Sequence, residues 1–127
     1  MRALAERGFA REAALAAADR LQQEGWLDDL AAARSVARVR AARYGRGRLE
    51  RELSARGFSR ETILQALEAE LPEREDTALS GAFERLWERH AKLAPPDRRR
   101  KVRAALSRRG FASEAISAIM RSSHEVD

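Results

Sequence analysis

A six-residue phrase, Leu-x-x-Arg-Gly-Phe, occurs three times and constrains the fold more than any other feature of this chain. The three copies begin at Leu4, Leu53 and Leu106, so they lie 49 and 53 residues apart. A short phrase that recurs at intervals of this size is typical of repeat architectures. The chain is therefore predicted to contain a series of small, similar units.

The residue types within the phrase predict a helix, a tight corner and a second helix. The Leu belongs to the end of the first helix, and the Gly stands where that helix stops, because Gly takes the left-handed conformation without a Cβ penalty. An acidic residue three positions after each Phe suits the positive end of the next helix dipole. The glycines are Gly8, Gly57 and Gly110, and the acids are Glu12, Glu61 and Glu114.

The segments between the phrases supply further helices. One is predicted to begin at Asp28 or Asp29 and to run to about Arg43, with Ala32, Val36 and Val39 on its apolar face. We therefore predict an all-α fold of tandem three-helix, helix-turn-helix-like repeats. The predicted units are residues 1–26 (the last two helices of a leading repeat), 27–71 (a middle repeat) and 72–127 (a C-terminal repeat). The missing first helix should leave the face around Phe9, Ala14, Ala18 and Leu21 partly bare.

Composition narrows the class of protein. The 127 residues are rich in Ala, Leu, Arg and Glu, which are strong helix formers, and they include no Cys. The absence of Cys excludes a disulfide framework and suits a reducing cytoplasm. No apolar run approaches the length of a membrane span, and the N-terminus lacks the apolar core of a secretory signal. We therefore expect a cytoplasmic protein without a membrane segment.

Positive charge is concentrated in two stretches that contain no acid. The first, between Leu30 and Leu49, holds six arginines, and the second, between Arg98 and Ser113, holds seven cations. Segregated cations of this kind attract phosphate backbones or acidic protein faces, although a solvated helix surface can also be basic. The candidate binding residues are Arg34, Arg38, Arg40, Arg43, Arg46, Arg48, Arg98, Arg99, Arg100, Lys101, Arg103, Arg108 and Arg109.

The aromatic residues and the histidines of the chain are predicted to have structural roles. Trp26 and Trp87 are predicted to pack within or between units, and Tyr44 to lie over a helix junction rather than to stack on a base. His90 continues an apolar stripe, and two isolated histidines without Cys make no zinc site. No His is placed to activate a Ser, so we predict no catalytic residue, no metal and no cofactor.

Four longer motifs follow one another along the chain. They are Glu24-Gly25-Trp26-Leu27-Asp28-Asp29, Arg38…Arg40…Arg43-Tyr44-Gly45, Arg48-Leu49…Glu52-Leu53…Gly57 and Arg108-Arg109-Gly110-Phe111…Ile116. With these motifs the chain resembles the RecX regulatory proteins of bacteria over nearly its whole length. It departs from the family pattern at Ala32, where an aromatic is usual, and at Arg46, where Pro is common.

The resemblance implies an elongated, curved array of three-helix units that binds the RecA recombinase filament on DNA. It implies inhibition or modulation of RecA ATP hydrolysis, strand exchange and coprotease activity in DNA recombination, DNA repair and the SOS response. The partners implied are the RecA filament and DNA, contacted directly or through the filament, and we expect a monomer that is not an enzyme. Differential affinity for one filament state would suffice for inhibition.

Two other functions remain open from the residues alone. A stand-alone helical DNA-binding module would use the basic stretches on phosphates, and its binding should weaken steeply with salt even without RecA. A structural adaptor with no link to nucleic acid would tolerate loss of both clusters. An enzyme is the least favoured class.

Overall fold

The computed structural model describes the backbone of residues 2–126 and the side chains of residue 8 and residues 10–123. Residues 2–126 form helices joined by short turns and contain no strand, which confirms the all-α prediction. The helices are α1 (Arg2–Arg40), α2 (Arg46–Ala55), α3 (Arg60–Glu70), α4 (Glu75–Arg89), α5 (Pro95–Arg108) and α6 (Ser113–Val126).

Two separate hydrophobic cores divide the described helices into two three-helix units. We number them after the predicted repeats, in which the leading repeat is the first. The second unit is formed by the end of α1 with α2 and α3, and the third unit by α4, α5 and α6. The core of the second unit comprises Ala33, Ala37, Ala41, Leu49, Leu53, Ile63, Ala66, Leu67 and Leu71. The core of the third unit comprises Ala78, Leu79, Ala82, Phe83, Leu86, Val102, Ala105, Leu106, Phe111, Ile116 and Met120. The prediction of tandem helical units is confirmed.

Each unit turns its corner at the predicted Gly-Phe pair. Gly57 and Gly110 have φ values of 94° and 90°, the left-handed region that favours Gly. In the second unit the Phe58 nitrogen donates to the Leu53 oxygen at 3.2 Å, and the Gly57 nitrogen donates to the Ser54 oxygen at 3.0 Å. This pair of hydrogen bonds is the Schellman motif, and the third unit repeats it at the equivalent positions.

The corner predicted at Gly8 is wrong, because α1 continues through it and through Gly25 up to Arg40. The separate helices expected within residues 1–26, and the helix start expected at Asp28 or Asp29, are not formed. The described side chains between residues 8 and 29 are all exposed, so no core draws the chain into a corner there. Helix propensity then decides the local structure, and a Gly inside a helix costs only about 1 kcal/mol. The division at residues 26 and 71 stays a prediction.

The bare face predicted for the N-terminal region is present where side chains are described. Ala14, Ala18 and Leu21 are exposed, whereas the Phe9 side chain lies outside the described residues. Trp26 was expected to pack as a wedge, but it is 38% exposed because nothing in the described chain packs against that part of α1.

The buried face of α1 also differs from the predicted one. Ala33, Ala37 and Ala41 are fully buried at a spacing of four residues, whereas Val39 is 72% exposed and Ala32 is exposed. Alanine side chains allow α1 to approach α3 closely, and this close approach decides which face is buried. Of the three residues predicted to face the core, only Val36 lies against it, half-buried.

The two units are joined through backbone hydrogen bonds between glycine-containing turns. The Gly45 nitrogen donates to the Arg109 oxygen at 2.8 Å, and the Gly47 nitrogen donates to the Gly110 oxygen at 3.0 Å. A Cβ on Gly45 would lie 2.6 Å from Gly110 backbone atoms, so only Gly permits this approach. We call this contact the inter-unit junction.

Although α1 is 39 residues long, charged side chains occur throughout it. None of the helices in the described part of the chain is both long and apolar enough to cross a membrane.

Candidate functional site

Several arginines of the first predicted cluster point to a buried carboxylate. Glu70, at the end of α3, has a side chain that is only 3% exposed. Arg38 donates to it from two nitrogens at 2.8 and 3.4 Å, Arg34 donates at 3.3 Å, and Arg74 donates at 2.5 Å. These contacts tie α1 to α3 and to the turn that leads into α4. We call Glu70 and its three arginines the Glu70 network.

The Glu70 network sets the charge state of its carboxylate. Hydrogen bonds from Arg38, and then from Arg74 and Arg34, lower the pKa of Glu70 to about 2, although burial acts in the opposite direction. The carboxylate is covered by arginine side chains that are themselves about half exposed rather than by apolar core. Glu70 is therefore ionised at neutral pH, and its single negative charge compensates one of the three positive charges around it.

A second carboxylate holds two more arginines of the first cluster. Arg40 donates to both oxygens of Glu52 at 2.7 and 3.0 Å, and Arg48 donates to one of them at 3.3 Å. Their guanidinium groups also lie 4.7 and 4.1 Å from the centre of the Tyr44 ring. These hydrogen bonds, chiefly those from Arg40, lower the pKa of Glu52. Tyr44 therefore packs over the helix junction, as predicted, and its ring is engaged by cations.

The second predicted cluster is held partly by backbone carbonyl groups. Arg98 donates to the Trp87 oxygen at 2.6 and 3.0 Å and lies 3.8 Å from the centre of the Trp87 ring, which stacks on Phe83. Arg103 donates to the Ser117 hydroxyl at 3.2 Å, and Arg100 pairs with Asp97 within the same helix. These arginines fasten α5 to its neighbours or stay on its own surface.

A third group of arginines lies at the inter-unit junction and forms no ion pair among the described side chains. Arg43 lies in the turn after α1, and the hydrogen bond from the Gly45 nitrogen to the Arg109 oxygen joins this turn to the one that carries Arg109. Arg85 lines a groove with Ala41, Ala42 and Glu73, to which it is not ion-paired, and Arg89 lies one turn further along α4.

Burial lowers the pKa of the Arg109 guanidinium, and the positive charges of Arg85, Arg89 and Arg43 lower it further, whereas Tyr44 acts in the opposite direction. Among the side chains that the structure describes, none of these four arginines forms an ion pair. We call Arg43, Arg85, Arg89 and Arg109 the junction cluster.

Two domain models of one family match the two units, and the boundary between the two matches falls at the turn between α3 and α4. A family model described as the second three-helix domain of RecX matches residues 28–67. The model described as the third three-helix domain of RecX matches residues 74–120.

Curated relatives match over most of the chain, and each is named Regulatory protein RecX. The protein of Xanthomonas citri is 38% identical over 123 residues, which cover 94% of this chain and 74% of the relative. The protein of Xanthomonas campestris pv. campestris (strain B100) is 36% identical over 118 residues, which cover 91% and 70%. The protein of Stenotrophomonas maltophilia (strain R551-3) is 34% identical over 118 residues, with the same coverage.

The chain belongs to the RecX family. The resemblance found in its sequence motifs is thereby confirmed. No solved structure matches it. The described residues of this RecX chain contain no group of three or more His, Asp or Glu side chains that could hold a metal ion.

The structure separates the predicted site residues of this RecX chain into engaged and open side chains. Arg46 forms an exposed pair with Glu50 at 3.0 Å, and Arg99 reaches the Met120 oxygen at 3.5 Å. Together with Arg34, Arg38, Arg40, Arg48, Arg98, Arg100 and Arg103, these are the engaged residues. The open residues, which form neither an ion pair nor a side-chain hydrogen bond within the described chain, are Arg43, Lys101, Arg108 and Arg109.

Sequence reasoning missed Arg85 and Arg89 of this RecX chain. Both stand next to acids, at Glu84 and Glu88, so a scan for acid-free stretches passes over them. Their spacing of four residues places them on one face of α4, which the acids do not share. That spacing could have identified the pair.

Proposed function

We propose that this chain is a non-enzymatic regulator that binds the RecA–DNA filament. In this role it inhibits or modulates RecA ATP hydrolysis, strand exchange and coprotease activity during recombination and DNA repair. The observation that carries the proposal is the similarity, over about nine tenths of the chain, to proteins named Regulatory protein RecX. The proposed working form is a monomer in the cytoplasm, where no chemistry other than binding is needed.

The way in which the two units are joined supports a filament-binding role. Two backbone hydrogen bonds and three close-packed glycines hold the second and third units at the inter-unit junction. A pair of units held in a fixed orientation can contact more than one subunit of a regular polymer. Binding that favours one filament state would shift the filament toward that state by the difference in affinity.

The four open cations are the proposed contact residues of the predicted set. Arg43, Lys101, Arg108 and Arg109 can form new ion pairs without first breaking internal ones. The engaged arginines have a different proposed role, which is to hold the helices that present the open ones. Arg38 and Arg40 are examples, since each already donates to both oxygens of a carboxylate of this chain.

The direct test is the rate of ATP hydrolysis by RecA on single-stranded DNA while this protein is titrated in. We expect the rate to fall to a plateau. The variant Lys101→Gln/Arg108→Gln should need more protein to reach half-inhibition than the wild type. A matched control, Arg20→Gln/Arg51→Gln, removes the same charge from exposed positions outside the predicted clusters.

An unchanged rate at saturating protein would reject the proposed function. Charge reversal at Arg38 or Arg40 is a poor test of binding, because it would place two carboxylates together and unfold the unit instead.

The open arginines also favour a second function, a stand-alone DNA-binding module. Such a module would bind free DNA with a steep dependence on salt. Filament inhibition that persists at a salt concentration where free-DNA binding has vanished would favour the RecA-directed role over this alternative.

A further inference from the structure

The junction cluster brings together four arginines that form no ion pair with the described side chains. Arg43, Arg85 and Arg89 are exposed, and Arg109 is half-buried between the two units. Elsewhere in the described chain, arginines that gather around one point do so around a carboxylate, as at Glu70 and Glu52. Four like charges without such a partner favour a bound anion from outside the chain.

The backbone that carries Arg85, Arg89 and Arg109 is held in place before any ligand binds. The Arg109 backbone is fixed by the hydrogen bond from Gly45, and Arg85 lies along α4 with a guanidinium nitrogen close to Gly81. Arg85 and Arg89 project from one face of a regular helix, about 6 Å apart along its axis. Little ordering of the backbone is therefore required when an anion arrives.

We propose that Arg43, Arg85, Arg89 and Arg109 form a binding site for the phosphodiester backbone of nucleic acid. The site spans the two units, because Arg43 comes from the second unit and the other three come from the third. As a site on the filament's DNA it rests on the proposed function, but its affinity for free DNA can be measured without RecA.

A general property of nucleic acid favours a phosphate backbone over an acidic protein surface, and one observation favours contact with phosphate over contact with a base. A phosphodiester chain offers a continuous series of anions, which suits several guanidinium groups that approach from different helices. The nearest aromatic side chain, Tyr44, already has the guanidinium groups of Arg40 and Arg48 against its ring, so it is not free to stack on a base. Contacts to phosphate alone carry no sequence information, so binding at this site should be independent of base sequence.

The test is the affinity of the whole chain, without RecA, for fluorescein-labelled oligonucleotides of about 20 nucleotides. Fluorescence anisotropy measures this affinity between 50 and 200 mM salt, a range in which phosphate contacts weaken strongly. Two single strands, an oligo-dT and a mixed sequence, serve as probes. For Arg85→Gln/Arg89→Gln we expect a loss of affinity on the order of tenfold, equal for both probes. Its plot of log affinity against log salt should be shallower by about 1.4, since each phosphate contact on a single strand contributes about 0.7.

The control Arg20→Gln/Arg51→Gln carries the same charge change and should lose less than about twofold. Equal losses in both variants would overturn the proposal, because they would show a response to net charge rather than to a site. Circular dichroism should show the same helix content in both variants, which keeps a folding defect from imitating the expected result.

RecA ATPase measurements on the same proteins separate this inference from the proposed function. If Arg85→Gln/Arg89→Gln loses inhibition but binds the oligonucleotides like the wild type, the cluster meets an acidic surface of RecA, and the phosphate assignment is overturned. If the wild type leaves RecA unaffected while the variant alone loses DNA affinity, the phosphate site stands and the filament function fails.

Discussion

The second and third units share a corner motif but differ in what surrounds it. At Gly57 a Cβ would meet no atom within 4 Å, whereas at Gly110 it would lie 2.2 Å from the Arg48 nitrogen. The units also use arginine differently. In the second unit Arg34, Arg38, Arg40 and Arg48 contact Glu70 or Glu52, whereas in the third unit no carboxylate among the described side chains is shared by several arginines.

One local motif therefore serves two purposes in this chain. In the second unit the Gly-Phe corner only reverses the chain. In the third unit the same corner is also a surface on which the neighbouring unit rests, and it lies beside the junction cluster. Repetition of a motif in the sequence therefore does not imply repetition of its role.

The largest expected difference between the two corners comes from replacing each Gly with Ala. We expect Gly110→Ala to lower the free energy of unfolding by at least about 3 kcal/mol, because the cost of a left-handed Ala backbone adds to the cost of a steric collision with Arg48. Gly57→Ala should cost only about 1 to 2 kcal/mol, since only the backbone conformation is strained. Urea denaturation monitored by circular dichroism measures both.

The variant Gly45→Ala separates the two causes. Gly45 has an ordinary extended conformation, but a Cβ there would lie 2.6 Å from Gly110. It should therefore destabilise the protein by collision alone, by about 1 to 3 kcal/mol. Equal stability of Gly45→Ala and the wild type would mean that the two units do not touch in solution at this point.

The next effect in size concerns the buried carboxylate of the second unit. Glu70→Gln leaves three guanidinium groups without their anion, and we expect a loss of about 2 kcal/mol in the free energy of unfolding. Glu68→Gln, on the exposed face of the same helix, is the matched control and should change it by less than about 0.5 kcal/mol. Similar losses in the two variants would show that the Glu70 network does not stabilise the unit.

Acid should weaken the second unit through the same network. The pKa of Glu70 is about 2 in the folded chain and 4.5 as the ordinary value, so the folded state favours the ionised form. Its contribution is complete above about pH 5 and is lost as the pH falls from about 4.5 toward 2. Urea midpoints measured from pH 7 to pH 3 should fall more steeply for the wild type than for Glu70→Gln. Parallel curves would contradict the assignment.

The smallest expected change in stability concerns the N-terminal cap of the helix that follows each corner. The Ser59 side chain accepts from the Thr62 nitrogen at 3.2 Å and caps α3, whereas Ala112, which precedes α6, has no side-chain oxygen to offer. Ser59→Ala should cost about 1 kcal/mol, and Ala112→Ser should gain up to about 1 kcal/mol. Thermal unfolding of both variants checks the signs, and a stabilising Ser59→Ala would refute the capping contact.

The sequence predicted the fold class, two of the three corners and the core leucines at Leu53 and Leu106. Those features depend on a Gly at a helix end and on apolar spacing, both of which are local. It failed at Gly8, where the same phrase stays helical. A corner needs a core against which the following chain can pack, and the phrase itself does not reveal whether that core exists.

For the candidate site, the sequence by itself determined where positive charge accumulates but not which charges are available. Its acid-free stretches include Arg38 and Arg40, whose partners Glu70 and Glu52 lie 32 and 12 residues away along the chain. Only the tertiary structure brought those carboxylates to the arginines and assembled the junction cluster from α4 and two turns. The physical reason is that helix formation follows from neighbours in sequence, whereas charge compensation depends on neighbours in space.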